Sequence, residues 1–176
     1  THALLLMERA LLDLGISVEA AATDDGQPGE PPPRAVHHLF PKRTDFYKAS
    51  PAFARWIGGH VRDYDLVHIH ALWEEIQHRA AATARQQGKP YVVTPHGMLD
   101  PWGLSQGRIK KKLYMALRLR RDLNGAAAIH YTDETERDLA RLRRFAKSGV
   151  AIGMVVPKTG NGAGLRVLCR AKSLDD

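Results

Sequence analysis

The stretch that decides the fold runs from Leu66-Val67-His68-Ile69-His70, through Glu74 to Gln87 and the stop at Gly88, to Tyr91-Val92-Val93-Thr94. Two short apolar runs rich in β-branched residues read as strands, and the segment between them is long enough for about three helical turns. Gly88 is a natural C-terminal stop for that helix. Strand, helix and strand at this spacing form one βαβ unit, whose two strands are parallel and whose crossover is right-handed.

Outward from this unit the alternation continues. Residues 2–14 carry Leu4, Leu5, Met7, Ala10, Leu11 and Leu14 at helical spacing, and Gly15 ends that run. Ile16 to Ala22 reads as a strand, residues 24–35 with Pro31-Pro32-Pro33 as an exposed loop, and Val36 to Phe40 as a short strand. Ser50-Pro51 supplies an N-cap and a first-turn proline for a helix to about Arg62. After Thr94, the pattern predicts a helix over Arg108 to Leu123, a strand over Ala126 to His130, a helix capped at Thr132 or Asp133 with Glu136 completing a capping box, and a strand over Ala151 to Val156. Strands alternating with helices predict an α/β, Rossmann-like parallel sheet with helices on both faces. The stretch from Lys158 to Asp176 shows little periodicity. Its Gly160, Gly162 and Gly164 have the wrong spacing for a dinucleotide fingerprint, so 158–176 is expected to be an atypical or disordered tail behind a domain at 1–157.

The 176 residues suit one domain with its own core. No apolar run approaches the roughly 20 residues of a membrane span. The single cysteine, Cys169, makes no internal disulfide or Cys-rich metal site and fits a reducing, cytoplasmic setting. With 26 Lys and Arg against 19 Asp and Glu, the net charge of +7 points to an anionic partner: a membrane surface, a phosphorylated substrate or nucleic acid. Nucleic acid ranks last, because the basic groups are not interleaved with a stacking platform.

In parallel α/β sheets, ligands bind beyond the carboxyl ends of the strands. Those ends carry His70-Ala71-Leu72-Trp73, then Pro95-His96-Gly97-Met98, then Tyr131-Thr132-Asp133. His96 follows a strand, between Pro95, which fixes its own φ, and Gly97, which permits a sharp turn. An imidazole there serves as a hydroxyl partner or a base near neutral pH, or simply as a loop histidine bonded to backbone. His68 and His70 share a strand face. No acidic or Cys partner is spaced to complete a metal site with them, so His70 is read as supporting the rim beside His96. Trp73 and Trp102 lie in rim loops, either to stack on a sugar or lipid headgroup or to plug the loop against the core. Acids at Glu74 and Glu75 suit a helix start. In the helix ending at Leu123, Ile109, Leu113, Ala116 and Leu117 form an apolar face. Lys110, Lys111, Arg118 and Arg121 cluster beside it with Tyr114, either as a membrane or polyanion contact or as a solvated face.

Three runs together resemble a known family: Tyr64 to Trp73; Gly88-Lys89-Pro90-Tyr91-Val92-Val93-Thr94-Pro95-His96-Gly97-Met98-Leu99-Asp100-Pro101-Trp102; and Ala128 to Glu136. They resemble the N-terminal domain of the family 4 (group 1) glycosyltransferases of the GT-B fold, over about residues 3–157. The resemblance implies an acceptor-side domain of a retaining enzyme that moves a sugar from a nucleotide-sugar donor to a glycan or lipid-linked acceptor, in synthesis of surface polysaccharide or glycolipid. It implies no cofactor and no obligatory metal. His96 would be the catalytic position at the transferred sugar. His70, Trp73, Gly97, Met98, Asp100, Trp102 and Thr132 would shape the substrate side. The basic helix would touch an anionic membrane from its inner, cytoplasmic face.

The same resemblance sets expectations about what is missing. The family's first strand and its Gly-rich loop belong before Thr1, and the donor-binding domain belongs after Pro157, where Lys158-Thr159-Gly160 stands instead of an Asn-Gly turn. The chain is therefore expected to be a truncated or frame-shifted piece, with nucleotide sugar bound only beside a C-terminal domain and with sheet edges exposed where the first strand is lost. The alternative expectation is a catalytically inactive fragment that only binds a membrane or polyanion.

Overall fold

The structure, a computed structural model, describes residues 2–24, 35–43, 49–99, 114–131, 136, 138 and 166–169. Helix α1 (His2–Asp13) leads to β1 (Ser17–Asp24), and β2 (Val36–Pro41) to α2 (Pro51–His60), which closes in a 3-10 turn over Val61–Asp63. The central unit follows as β3 (Leu66–His70), α3 (Glu75–Gln86) and β4 (Tyr91–Thr94). A π-helical turn (Met115–Leu119) runs into α4 (Arg120–Asn124), then β5 (Ala128–Ile129) and β6 (Arg166–Cys169). The six described strands form one sheet in the order β2-β1-β6-β3-β4-β5, and every described pairing is parallel. The α/β, Rossmann-like expectation is met.

Local chemistry fixes these elements. Gly15 takes φ 76°, which lets the Ile16 N–H return to the Leu11 carbonyl at 3.0 Å and end α1. Ser50 caps α2: its Oγ accepts the Phe53 N–H at 3.3 Å and donates to the Pro41 carbonyl at 2.8 Å, which ties the end of β2 to the start of the helix. At α3, Glu74 is the N-cap rather than a first-turn acid. Its N–H donates to Gln77 Oε1 at 2.8 Å, and Gln77 Nε2 donates back to Glu74 Oε2 at 3.4 Å.

The core divides across the sheet. The larger cluster joins Phe53 and Ile57 of α2, Ile76, Ala80 and Ala84 of α3, and Val67, Ile69, Val93 and Ile129 of the strands. A smaller one joins Leu11, Ile16 and Val18, with Met7 and Leu66 against them. Successive strand residues point to opposite faces, so Val67 and Ile69 belong to the α2–α3 face, and Leu66 to the α1 face.

Three expectations change. Arg166–Cys169, expected within a tail, is an interior strand: Val167 pairs with Val18 of β1 and Leu66 of β3. β1 and β3 do not pair with each other, and four residues of backbone from the C-terminal stretch satisfy the facing edges of both, so the expected open edges are closed there. The helix ending near Leu123 does not present Ala116 and Leu117 to the core. Both are exposed, Leu117 at 69%, whereas Tyr114, Leu119 and Leu123 are buried. Ala116 and Leu117 lie within the π turn, where each residue advances by less than 100°, so a face drawn at 100° per residue does not follow it. The strand expected over Ala126 to His130 shortens to Ala128–Ile129. The expected strand at Ala151 to Val156, the cap at Thr132 or Asp133, and residues 108–113 lie outside the described residues.

Candidate active site

The register of β3, β4 and β5 places a second set of side chains opposite the apolar cluster. His70 stands beside Thr94, and Val93 beside Ile129. Since Val93 and Ile129 face α2 and α3, the alternating residues His68, His70, Thr94 and His130 share the other face at the carboxyl end of the sheet. They are bonded to one another. Thr94 Oγ1 lies 2.7 Å from His68 Nε2 and 3.1 Å from His130 Nδ1, and the His68 and His70 rings lie 4.2 Å apart between centroids. A hydroxyl has one proton, so this chain has a direction: Thr94 donates to one imidazole and accepts from the other.

His96 extends the layer outward. Its Nε2 lies 2.9 Å from His70 Nδ1, with the rings stacked at 5.2 Å and 23°. His70 is 5% exposed, whereas His96 is exposed at the rim. The backbone that carries these groups is unusual. Among the described residues, the non-glycine positions with positive φ are Ala71 (67°), Trp73 (69°) and His96 (54°), all in the turns after β3 and β4. Each such residue costs about 1–2 kcal/mol, which the surrounding contacts must outweigh. The Ala71 N–H donates to the Thr94 carbonyl at 2.9 Å, the Leu72 N–H to Met98 Sδ at 3.3 Å, and the Met98 N–H to the Pro95 carbonyl at 3.3 Å. Gly97, at φ 74°, donates its N–H to Glu136 Oε1 at 2.6 Å.

Burial sets the charge of this layer. It pushes the His68 imidazole down to about 3, helped by the positive charge that His130 and His96 would carry. His96 is held below the ordinary histidine value by loss of hydration first and by His130, against the carboxylate of Glu136. His130 is lowered by burial, again against Glu136. At neutral pH His68, His96 and His130 are thus held as neutral imidazoles, suited to exchange hydrogen bonds with hydroxyl groups. Among the described residues no three His, Cys, Asp or Glu side chains are grouped to hold a metal ion.

The structure thus brings His70, Trp73, His96, Gly97 and Met98 together on one rim. Trp73 is half-buried, 6.1 Å from the Tyr114 ring. Met98 is half-buried and packs against the core. Asp100, Trp102, Thr132, Lys110 and Lys111 lie outside the described residues. Arg118 forms an ion pair with Glu75, and Arg121 is exposed. The sequence points to the turn Thr94-Pro95-His96-Gly97 without giving Thr94 a role of its own, and it does not single out His130 or Glu136 as site residues. The period of two extended from His68 and His70 to the neighbouring strand ends would have found Thr94 and His130. Glu136, expected in a capping box, has its described bond to Gly97, 39 residues away in the chain, and no local signal predicts that.

Strained turns and imidazoles thus stand at the carboxyl rim of a parallel α/β sheet, where such sheets bind their ligands. Residues 2–152 match the family model described as the Glycosyl transferase 4-like domain, and the chain belongs to that family. No curated protein and no solved structure gives a significant match to the chain. No described helix is long and apolar enough to cross a membrane.

Proposed function

We propose that this domain is the acceptor-side half of a retaining glycosyltransferase, with His96 at the transferred sugar. The observation that carries the reading is the exposed His96 imidazole on a left-handed turn, braced by His70 on one side and by the Gly97–Glu136 bond on the other. The donor is a nucleotide sugar held jointly with a C-terminal domain, no metal is required, and the acceptor is a glycan or a lipid-linked glycan of surface polysaccharide synthesis. The test, run on this domain together with a C-terminal donor-binding domain, is transfer of labelled sugar from a panel of nucleotide sugars to membrane-extracted acceptors, with and without His96→Ala. A loss of about 10²-fold or more in the variant is expected for a group engaged at the reacting centre. Transfer unchanged by His96→Ala overturns the reading.

A second reading, an inactive domain that binds only an anionic surface, draws on a separate observation. Leu117 is 69% exposed, and Arg120 and Arg121 beside it are exposed too. An apolar side chain flanked by arginines suits a cytoplasmic membrane face carrying anionic lipid. Salt-sensitive binding to anionic vesicles without sugar transfer in any combination supports this reading against the first. Comparable binding to a random oligonucleotide would make the contact a general polyanion one.

A further inference from the structure

His96 has two ring nitrogens, and one is already engaged. Nε2 lies 2.9 Å from His70 Nδ1, and His70 is buried while His96 is exposed. The bond therefore points inward, and Nδ1 is the nitrogen left to meet a ligand. Two neutral imidazoles share such a contact only when one nitrogen carries the proton and the other is bare.

We propose that His70 is a positioning residue that turns His96 so that Nδ1 faces the sugar and, through the proton in their shared bond, sets whether Nδ1 donates or accepts. With the proton on His70 Nδ1, His96 is bare at Nε2 and protonated at Nδ1, a donor to a sugar oxygen. With the proton on His96 Nε2, Nδ1 is bare and accepts from a sugar hydroxyl. The inference rests on the reading of His96 as the sugar-contacting group, and it assigns that group's orientation to a second residue. His70 is itself fixed from behind. Its carbonyl accepts from Gln77 Nε2 at 3.2 Å, and Gln77 Oε1 accepts the Glu74 N–H at 2.8 Å. The first turn of α3 thus holds the strand end, and the strand end holds the ring that holds His96. The left-handed backbone at His96 adds a reason for this bracing, because the turn does not favour that conformation by itself.

The experiment uses the full chain, labelled with nitrogen-15, at neutral pH without sugar. Imidazole nitrogen spectra report each histidine's tautomer, and a scalar coupling across the hydrogen bond reports the His70 Nδ1 to His96 Nε2 contact directly. The expected result is a measurable coupling and a single His96 tautomer. In His70→Phe the coupling vanishes and His96 averages between tautomers. In His70→Asn, whose amide occupies the place of Nδ1, His96 returns to one tautomer. Absence of the coupling in the unaltered chain overturns the proposal, and that measurement stands even where His70→Phe fails to fold. An unchanged His96 spectrum in folded His70→Phe overturns it as well. Because no sugar is present, failure here is distinct from failure of the sugar reading, which the His96→Ala transfer assay decides.

Discussion

The two faces of the sheet are built from the same three strands and could hardly differ more. On one, Val67, Ile69, Val93 and Ile129 are each at most 2% exposed and pack against α2 and α3. On the other, one residue along each strand, stand His68, His70, Thr94 and His130, bonded mainly to each other and to His96. The first face supplies the free energy of the fold through apolar burial. The second spends part of it, because imidazoles stripped of water must stay neutral and mutually bonded. A single strand such as β3 therefore carries stability on Val67 and Ile69 and chemistry on His68 and His70, while Leu66 packs toward α1.

Each face can be weakened separately by substitution. The largest effect is expected on the apolar face: Ile69→Ala should lower the unfolding free energy by about 2–5 kcal/mol in urea titration, through lost burial and the cavity left behind. A cost well under 1 kcal/mol would mean that this face is not the one holding the sheet.

The imidazole face should show itself through pH. Folded His68 takes up a proton only near 3, whereas an unfolded histidine does so at 6.5. The unfolded chain binds the extra proton as the pH falls, so stability is full above 6.5 and declines below it. For His68 alone the slope is about 1.4 kcal/mol per pH unit, or about 2 kcal/mol lost by pH 5. His96 and His130, both lowered, add to the decline in the same direction. His68→Asn should flatten the curve between pH 6.5 and 5, and an unaltered slope would place the acid sensitivity elsewhere.

The smallest effect is expected off both faces. Arg118 pairs with Glu75 at the surface, with its side chain 43% exposed. Arg118→Ala should cost about 1 kcal/mol or less by thermal unfolding, and that cost should shrink with added salt. A larger, salt-independent loss would make the π turn a third structural centre.

The alternation between the two faces is legible in the sequence itself. The alternation in Leu66 to His70 and the βαβ spacing are local, and they predicted the parallel sheet and the rim that carries His70, Trp73 and His96. Ser50-Pro51 and Gly15 mark helix ends by chemistry that acts within a turn. What escaped is non-local or out of phase. Glu136 reaches Gly97 across 39 residues of chain. The π turn shifts the face of the helix that buries Leu119 and Leu123, and no composition signal announces such a turn. Arg166–Cys169 is too short to show a period, and its place is decided by the gap between β1 and β3.

That last strand has a consequence in time. β3, β4 and β5 can pair as soon as Ile129 is available, and β1 with β2 earlier still. Among the described strands, the ladders of the two groups are joined only through β6, where Val18 meets Val167 from near the opposite end of the sequence. Contacts between such distant residues form slowly, since a long loop must close before they contribute anything. The sheet therefore waits, in two pieces, for the last of its described strands to be made, and an emerging chain keeps two open strand edges facing each other until then.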